Sequence, residues 1–305
     1  MIQTLLAIFA SDILPVFLIA GAGFLLARYS DVSVRALARV IFNVLSPCLV
    51  FTLMVTSTIS LTDFGRMALF CVLVTAACGA AAAVAGLALR LDRTALVAFI
   101  LAVMFSNSGN YGLPVIMFAF GRDALAFATV YFVTSSILMY TFGVFLAASG
   151  RRSLRQSIVG VARVPAVYGV LAAAIVLMLA WTVPVPIMRP VQLLTDASLP
   201  MMILVLGMQL QRATRPERLA PIVAAVALCL FVTPAIAIAL AYALPLTGAA
   251  FQAGIIQASM PAAIVTTIIA LEYDVAPSFV TNVVFASTLL SPLTLTALIA
   301  WLQRL

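Results

Sequence analysis

Asn107, Ser108, Asn110, Tyr111 and Pro114 fall within one octapeptide, NSGNYGLP, whose residue types suit the binding of a small polar molecule. Amides and hydroxyls supply donors and acceptors together, and two glycines allow close approach to the backbone. Proline lacks a backbone donor and disturbs the carbonyl four residues earlier, here that of Asn110. The same spacing recurs in QASMP, where Gln257 stands four residues before Pro261, with Ser259 between them. A resuming helix after each break would present free N–H groups and the positive end of its dipole, an arrangement suited to an anion.

Other chemistries find little to work with. The chain has no histidine, and Cys48, Cys71, Cys78 and Cys229 show no paired spacing, so they read as packing residues rather than disulfides or metal ligands. Without a His, Cys and carboxylate cluster there is no catalytic constellation, so no enzyme, no cofactor and no metal is expected. Asp196 reads as the only acidic residue well inside an apolar segment. A carboxylate there binds a cation or takes a proton, unless it is an interfacial helix-start residue, so Asp196 and its counterpart Asn43 are the candidates for ion or proton coupling.

These residues sit in a chain that is 65% hydrophobic and 8% charged, with a mean hydropathy of +1.25. Such a composition specifies an integral membrane protein, and the apolar runs are too long for alternating barrel strands. Reading from charge to charge gives spans near 13–27, 40–62, 67–89, 94–121, 124–150, 164–188 and 190–211, then two within 219–271 and one near 275–303. The expectation is an all-α membrane protein of ten transmembrane helices. NSGNYGLP then lies in the middle of the fourth span and QASMP in the ninth. Backbone freed there is tolerated only if buried or lining a watery cavity, which marks a site.

All sixteen basic residues are arginines, and twelve of them fall on the loops after the first, third, fifth and seventh spans. The positive-inside rule places those loops in the cytoplasm and both termini outside, in a multi-pass membrane protein. The net charge of +7 is therefore mostly topological, with some attraction for lipid headgroups and no nucleic-acid partner. The N-terminus lacks the basic region of a cleaved signal peptide and is read as the first span.

The basic loop 148–165 divides the chain into five-helix repeats, 1–150 and 151–305, which must enter the membrane from opposite sides. NVLSPCLVF (43–51) aligns with DASLPMMIL (196–204), pairing Pro47 with Pro200. NYGLPVI (110–116) aligns with QASMPAA (257–263), pairing Pro114 with Pro261 and Asn110 with Gln257.

NSGNYGLP in the fourth span, ASMPAA in the ninth and the proline of the second together resemble the auxin efflux carrier family of membrane transport proteins, over nearly the whole chain. The short central loop looks like the prokaryotic branch, which implies a prokaryotic inner membrane. The resemblance implies two inverted five-helix repeats with broken fourth and ninth helices crossing at mid-membrane, as in bile acid sodium symporters. It also implies transport of a small organic anion, such as auxin in plants or malate and malonate in bacteria, and a homodimer. The function expected is an efflux-type secondary transporter working by elevator-like alternating access. The alternative is a sodium-coupled organic anion symporter of the bile acid type, with Asn43, Ser46, Asn107 and Thr266 as candidate sodium ligands. A channel, an intramembrane enzyme or a scaffold is less consistent with matched helix breaks.

Overall fold

The computed structural model describes residues 2–57, 59–148, 164–211 and 219–305. Arg151, Arg152, Arg155, Arg163, Arg212, Arg215 and Arg218, seven of the twelve arginines assigned to the cytoplasmic side, lie outside the described residues. The described chain is helical, and its one β feature is an isolated bridge between Ser106 and Ala262. In order the helices are α1 (Gln3–Tyr29), α2 (Val34–Thr56), α3 (Leu61–Ala88), α4 (Arg93–Met104) and α5 (Ser108–Ala147). There follow α6 (Pro165–Met178), α7 (Val185–Leu210), α8 (Leu219–Ala243), α9 (Gly248–Ala258), α10 (Ile264–Glu272) and α11 (Pro277–Leu302).

Seven of these, α1, α2, α3, α5, α7, α8 and α11, are long and apolar enough to cross a membrane. The 40 residues of α5 would measure about 60 Å if straight, twice a hydrocarbon core. Gly121 resolves the excess: its φ of 78° and ψ of −163° turn the chain between two arms. That backbone region is open essentially to glycine alone.

Prolines widen these helices more often than they break them. Pro15, Pro47, Pro114 and Pro234 each follow by two residues a π-helical turn, at Phe9–Ile13, Ile41–Leu45, Ser108–Gly112 and Leu228–Val232. In each case the residue just before the proline donates its N–H five residues back, as Leu113 does to Ser108 and Ser46 to Ile41. The wider turn absorbs the missing donor. Pro114 is therefore not a break, contrary to the sequence expectation. The interruption lies earlier, at Phe105–Asn107, and its counterpart spans Ser259–Ala263 around Pro261.

Packing sorts the helices into two groups. α7 lies against α1 and α2, and α6 against α2, whereas α3, α4, α5, α8, α9, α10 and α11 pack chiefly on one another. In the first group the backbones touch: a Cβ at Gly23 would overlap Leu204 O, and one at Gly207 would overlap Ala20 O. Small residues permit such approach between membrane helices. Thr52 and Thr195 share a 2.9 Å hydrogen bond, and Ser198 Oγ donates to Leu45 O at 3.1 Å. The groups meet where α1, α2 and α7 reach α5, and where α1 reaches α11.

Candidate functional site

The two interruptions meet face to face. Asn107 N donates to Pro261 O at 2.7 Å, and Ala263 N donates to Phe105 O at 2.9 Å, so each break satisfies the backbone that the other exposes. Asn107 is the pivot, with φ −75° and ψ 60°, and Ser108 N reaches back to Ser106 O at 2.8 Å. That combination is an inverse γ-turn. Ala262 N is held from the side by Ser287 Oγ of α11 at 3.2 Å.

Amide side chains flank this junction with spare valence. Gln257 is fully buried, and its Nε2 donates to Ala128 O at 3.1 Å across to the second arm of α5. Its Oε1 has no hydrogen-bond partner in the protein, and neither has Asn107 Nδ2. Buried polar atoms left this way are costly, so a native example calls for an explanation. Gly112 explains how the segments come so close: a Cβ there would overlap Gln257 Oε1. The start of α5 supplies N–H groups and the positive end of its dipole beside Asn107, and α10 begins just beyond Ala263.

The sequence-derived residues divide accordingly. Asn107, Ser108, Gln257, Ser259 and Pro261 gather at the crossing and are buried. The Ser259 hydroxyl, however, is turned back to Ile255 O at 2.7 Å. Tyr111 is fully buried too, with its ring edge-on to Phe17 at 6.1 Å and its hydroxyl accepting from Ser291 Oγ at 3.2 Å. It thereby ties α5 to α1 and α11. Asn110 is half-buried on the same arm.

Pro114 lines a different space, a cavity of about 250 Å³ between α1, α2, α5 and α7 whose walls include Phe118, Arg122, Thr195, Asp196 and Pro200. On α5 its lining runs from Pro114 to Leu125 and does not include Asn110, which lies between Pro114 and Asn107 in the chain. Asp196 is exposed at its edge and accepts from Gln192 Nε2 at 2.8 Å. Arg122 brings the cavity its one positive charge, and among the described residues it makes no ion pair. Asn43 belongs to neither set: it is exposed, and its amide donates to Arg39 O of its own helix at 2.8 Å. Thr266 turns its hydroxyl back to Ala263 O.

Asp12 was missed by the sequence reading. It lies inside the continuous α1 and is buried, so Asp196 is not the only acidic residue within a helical span. Its carboxylate accepts from Ser11 Oγ at 2.6 Å and, more weakly, from Gln303 Nε2 at 3.4 Å. Gln303 also donates to Ala119 O at 3.2 Å, linking α1, α5 and the end of α11. The available signal was the apolar run on both sides of Asp12, which continues the helix through the charge.

Interrupted apolar helices that satisfy one another's backbone around buried amides are an arrangement that membrane transporters use. The family model described as membrane transport protein matches residues 8–299. The chain belongs to that family, of the auxin efflux carrier type, whose members are transporters and not enzymes. It is also similar to a protein of Methanothermobacter thermautotrophicus described as an uncharacterized transporter, 26% identical over 261 residues that cover 84% of each chain.

Proposed function

We propose that this protein is a secondary transporter that carries a small organic anion across a prokaryotic inner membrane, with the anion bound where the two interrupted segments cross. The observation that carries this reading is the pair of unpartnered buried amide atoms, Asn107 Nδ2 and Gln257 Oε1, beside that crossing. Asn107 Nδ2 and the N–H groups opening α5 would hold a carboxylate without a full positive charge, and Gln257 Oε1 would accept from a donor on the same substrate. Arg122 in the adjoining cavity would draw the anion in.

In this reading each interrupted segment is one crossing and Gly121 divides α5 into two, giving ten crossings in inverted repeats 1–150 and 151–305. Contacts between the matched stretches support it: Ser198 of 196–204 bonds to Leu45 of 43–51, and Gly112 of 110–116 abuts Gln257 of 257–263. Inverted repeats related by an axis in the membrane plane would meet in this way. The group containing α3, α4, α5 and α8 to α11 would move as an elevator against α1, α2, α6 and α7, with both termini outside.

Uptake of labelled mono- and dicarboxylates into proteoliposomes, with and without sodium and at two pH values, tests this. Wild type should take up a carboxylate, Asn107→Ala should do so weakly, and Asn107→Asp should fail through charge repulsion. Strict sodium dependence would favour the bile acid type of symport. Absence of any carboxylate uptake, or an Asn107→Asp variant as active as wild type, would overturn the proposal.

A further inference from the structure

On the flank of α3, α4 and α5 lies a second concavity, an almost wholly apolar groove of about 400 Å³. Its floor is α3, where Val72, Gly79 and Ala83 share one helical face, and its walls are Met104 of α4 with Leu138 and Leu146 of α5. Thr75, which also lines it, spends its hydroxyl on Cys71 O at 2.7 Å, so the floor presents no free polar group. The open side is marked by exposed Val72, Ala76, Ala80 and Phe142.

The dimensions of the groove are informative. From Val72 to Ala83 is eleven residues of helix, a rise of about 16 Å. Half of a ~30 Å hydrocarbon core is about 15 Å, the depth of one leaflet. The groove begins near the middle of α3, beside the last residue of α4, and runs toward the ends of α3 and α5. At that end the chain carries Arg90 and Arg93, both exposed, with Asp92 between them capping α4 through Ala95 N. A one-leaflet apolar slot with arginines at its outer end is complementary to a lipid tail below an anionic headgroup.

We infer that this groove is a binding site for one acyl chain of an anionic phospholipid, whose headgroup lies at Arg90 and Arg93. The tail rests against Met104, whose side chain lies over Gly79 and whose neighbour Phe105 opens the break. Bound lipid therefore braces the helix end from which the crossing is built. The inference goes beyond the proposed transport and does not depend on it.

The test is lipid retention by purified protein in native mass spectrometry, with thermal stability measured in nanodiscs of phosphatidylglycerol or phosphatidylcholine. Wild type should retain one phospholipid and be more stable in phosphatidylglycerol. Ala80→Phe, which fills the groove from its exposed rim, should retain several-fold less. Val84→Phe, on the same helix but outside the lining, should retain as much as wild type. Arg90→Gln should keep a lipid but lose the preference for phosphatidylglycerol. Retention by Ala80→Phe equal to wild type would overturn the inference. So would indifference of wild type to headgroup, or a change of oligomeric state in Ala80→Phe without loss of lipid.

Discussion

Replacing Gly112 with alanine puts the crossing under a local and calculable load. The added Cβ would overlap Gln257 Oε1 and come within 3.3 Å of Asn107 O. Gln257 cannot swing aside freely, because its Nε2 is tied to Ala128 O at 3.1 Å in a fully buried setting. The methyl group therefore forces Gln257 off Ala128. Losing that hydrogen bond leaves a buried carbonyl unpaired, which costs about 1–3 kcal/mol. Alanine recovers at most ~1 kcal/mol through its better helix propensity, leaving a net destabilisation of up to about 3 kcal/mol. Equilibrium unfolding in mixed micelles measures it, with Gly65→Ala as the control, since a Cβ there meets nothing within 4 Å. Because Oε1 is displaced as well, stabilisation by a bound carboxylate should fall together with stability. Adding Gln257→Ala removes the overlap, so the double variant should resemble the Gln257→Ala single variant rather than the sum of both. A Gly112→Ala protein that matches wild type in stability and in ligand response, or strict additivity in the double variant, would refute the placement of Gln257.

Two further backbone positions carry similar tests. Gly121→Ala should lower stability by about 1–3 kcal/mol from dihedral strain alone, because no atom lies within 4 Å of the new Cβ; unchanged unfolding would mean that the chain does not turn there as described. Gly207→Ala should destabilise by about 1–3 kcal/mol or more, because its Cβ would meet the carbonyl of Ala20 and a backbone cannot yield as a side chain does; the same unfolding assay reads it, and a neutral result would contradict the close approach of α1 and α7.

The helical, membrane-embedded character and the two polar stretches at 107–114 and 257–261 were legible because composition and residue type carry them locally. The position of the first break was not. A proline tells that a donor is missing, but whether the helix ends or widens by one residue depends on neighbours far away in sequence. At Pro114 the π turn at Ser108–Gly112 absorbs the defect. The real interruption at Phe105–Asn107 is held open by Pro261 and Ala263, more than 150 residues later. Gln257 was legible as an amide near a proline, yet its bond to Ala128 joins segments 129 positions apart. Asp12 was hidden by reading spans from charge to charge, which ends a helix at the residue that α1 carries inside itself.

The way the crossing is stitched bears on how it could move. Asn107 N to Pro261 O and Ala263 N to Phe105 O join the two breaks by main chain, and Ser287 of α11 holds Ala262 from the side. Gln257 adds a tie to the second arm of α5. Every one of these bonds lies within the group formed by α3, α4, α5 and α8 to α11. The ties across to the other group are sparser and weaker: the Tyr111–Phe17 edge contact at 6.1 Å, the long Gln303–Asp12 bond at 3.4 Å, and the packing of α2 and α7 on α5. Breaking the stitches would strand buried backbone groups at about 1–3 kcal/mol each, whereas a ring contact of this kind contributes only about 0.5–1.5 kcal/mol beyond its burial. If the proposed transport involves relative movement, the line of least resistance runs between the groups, and the crossing travels with its geometry preserved.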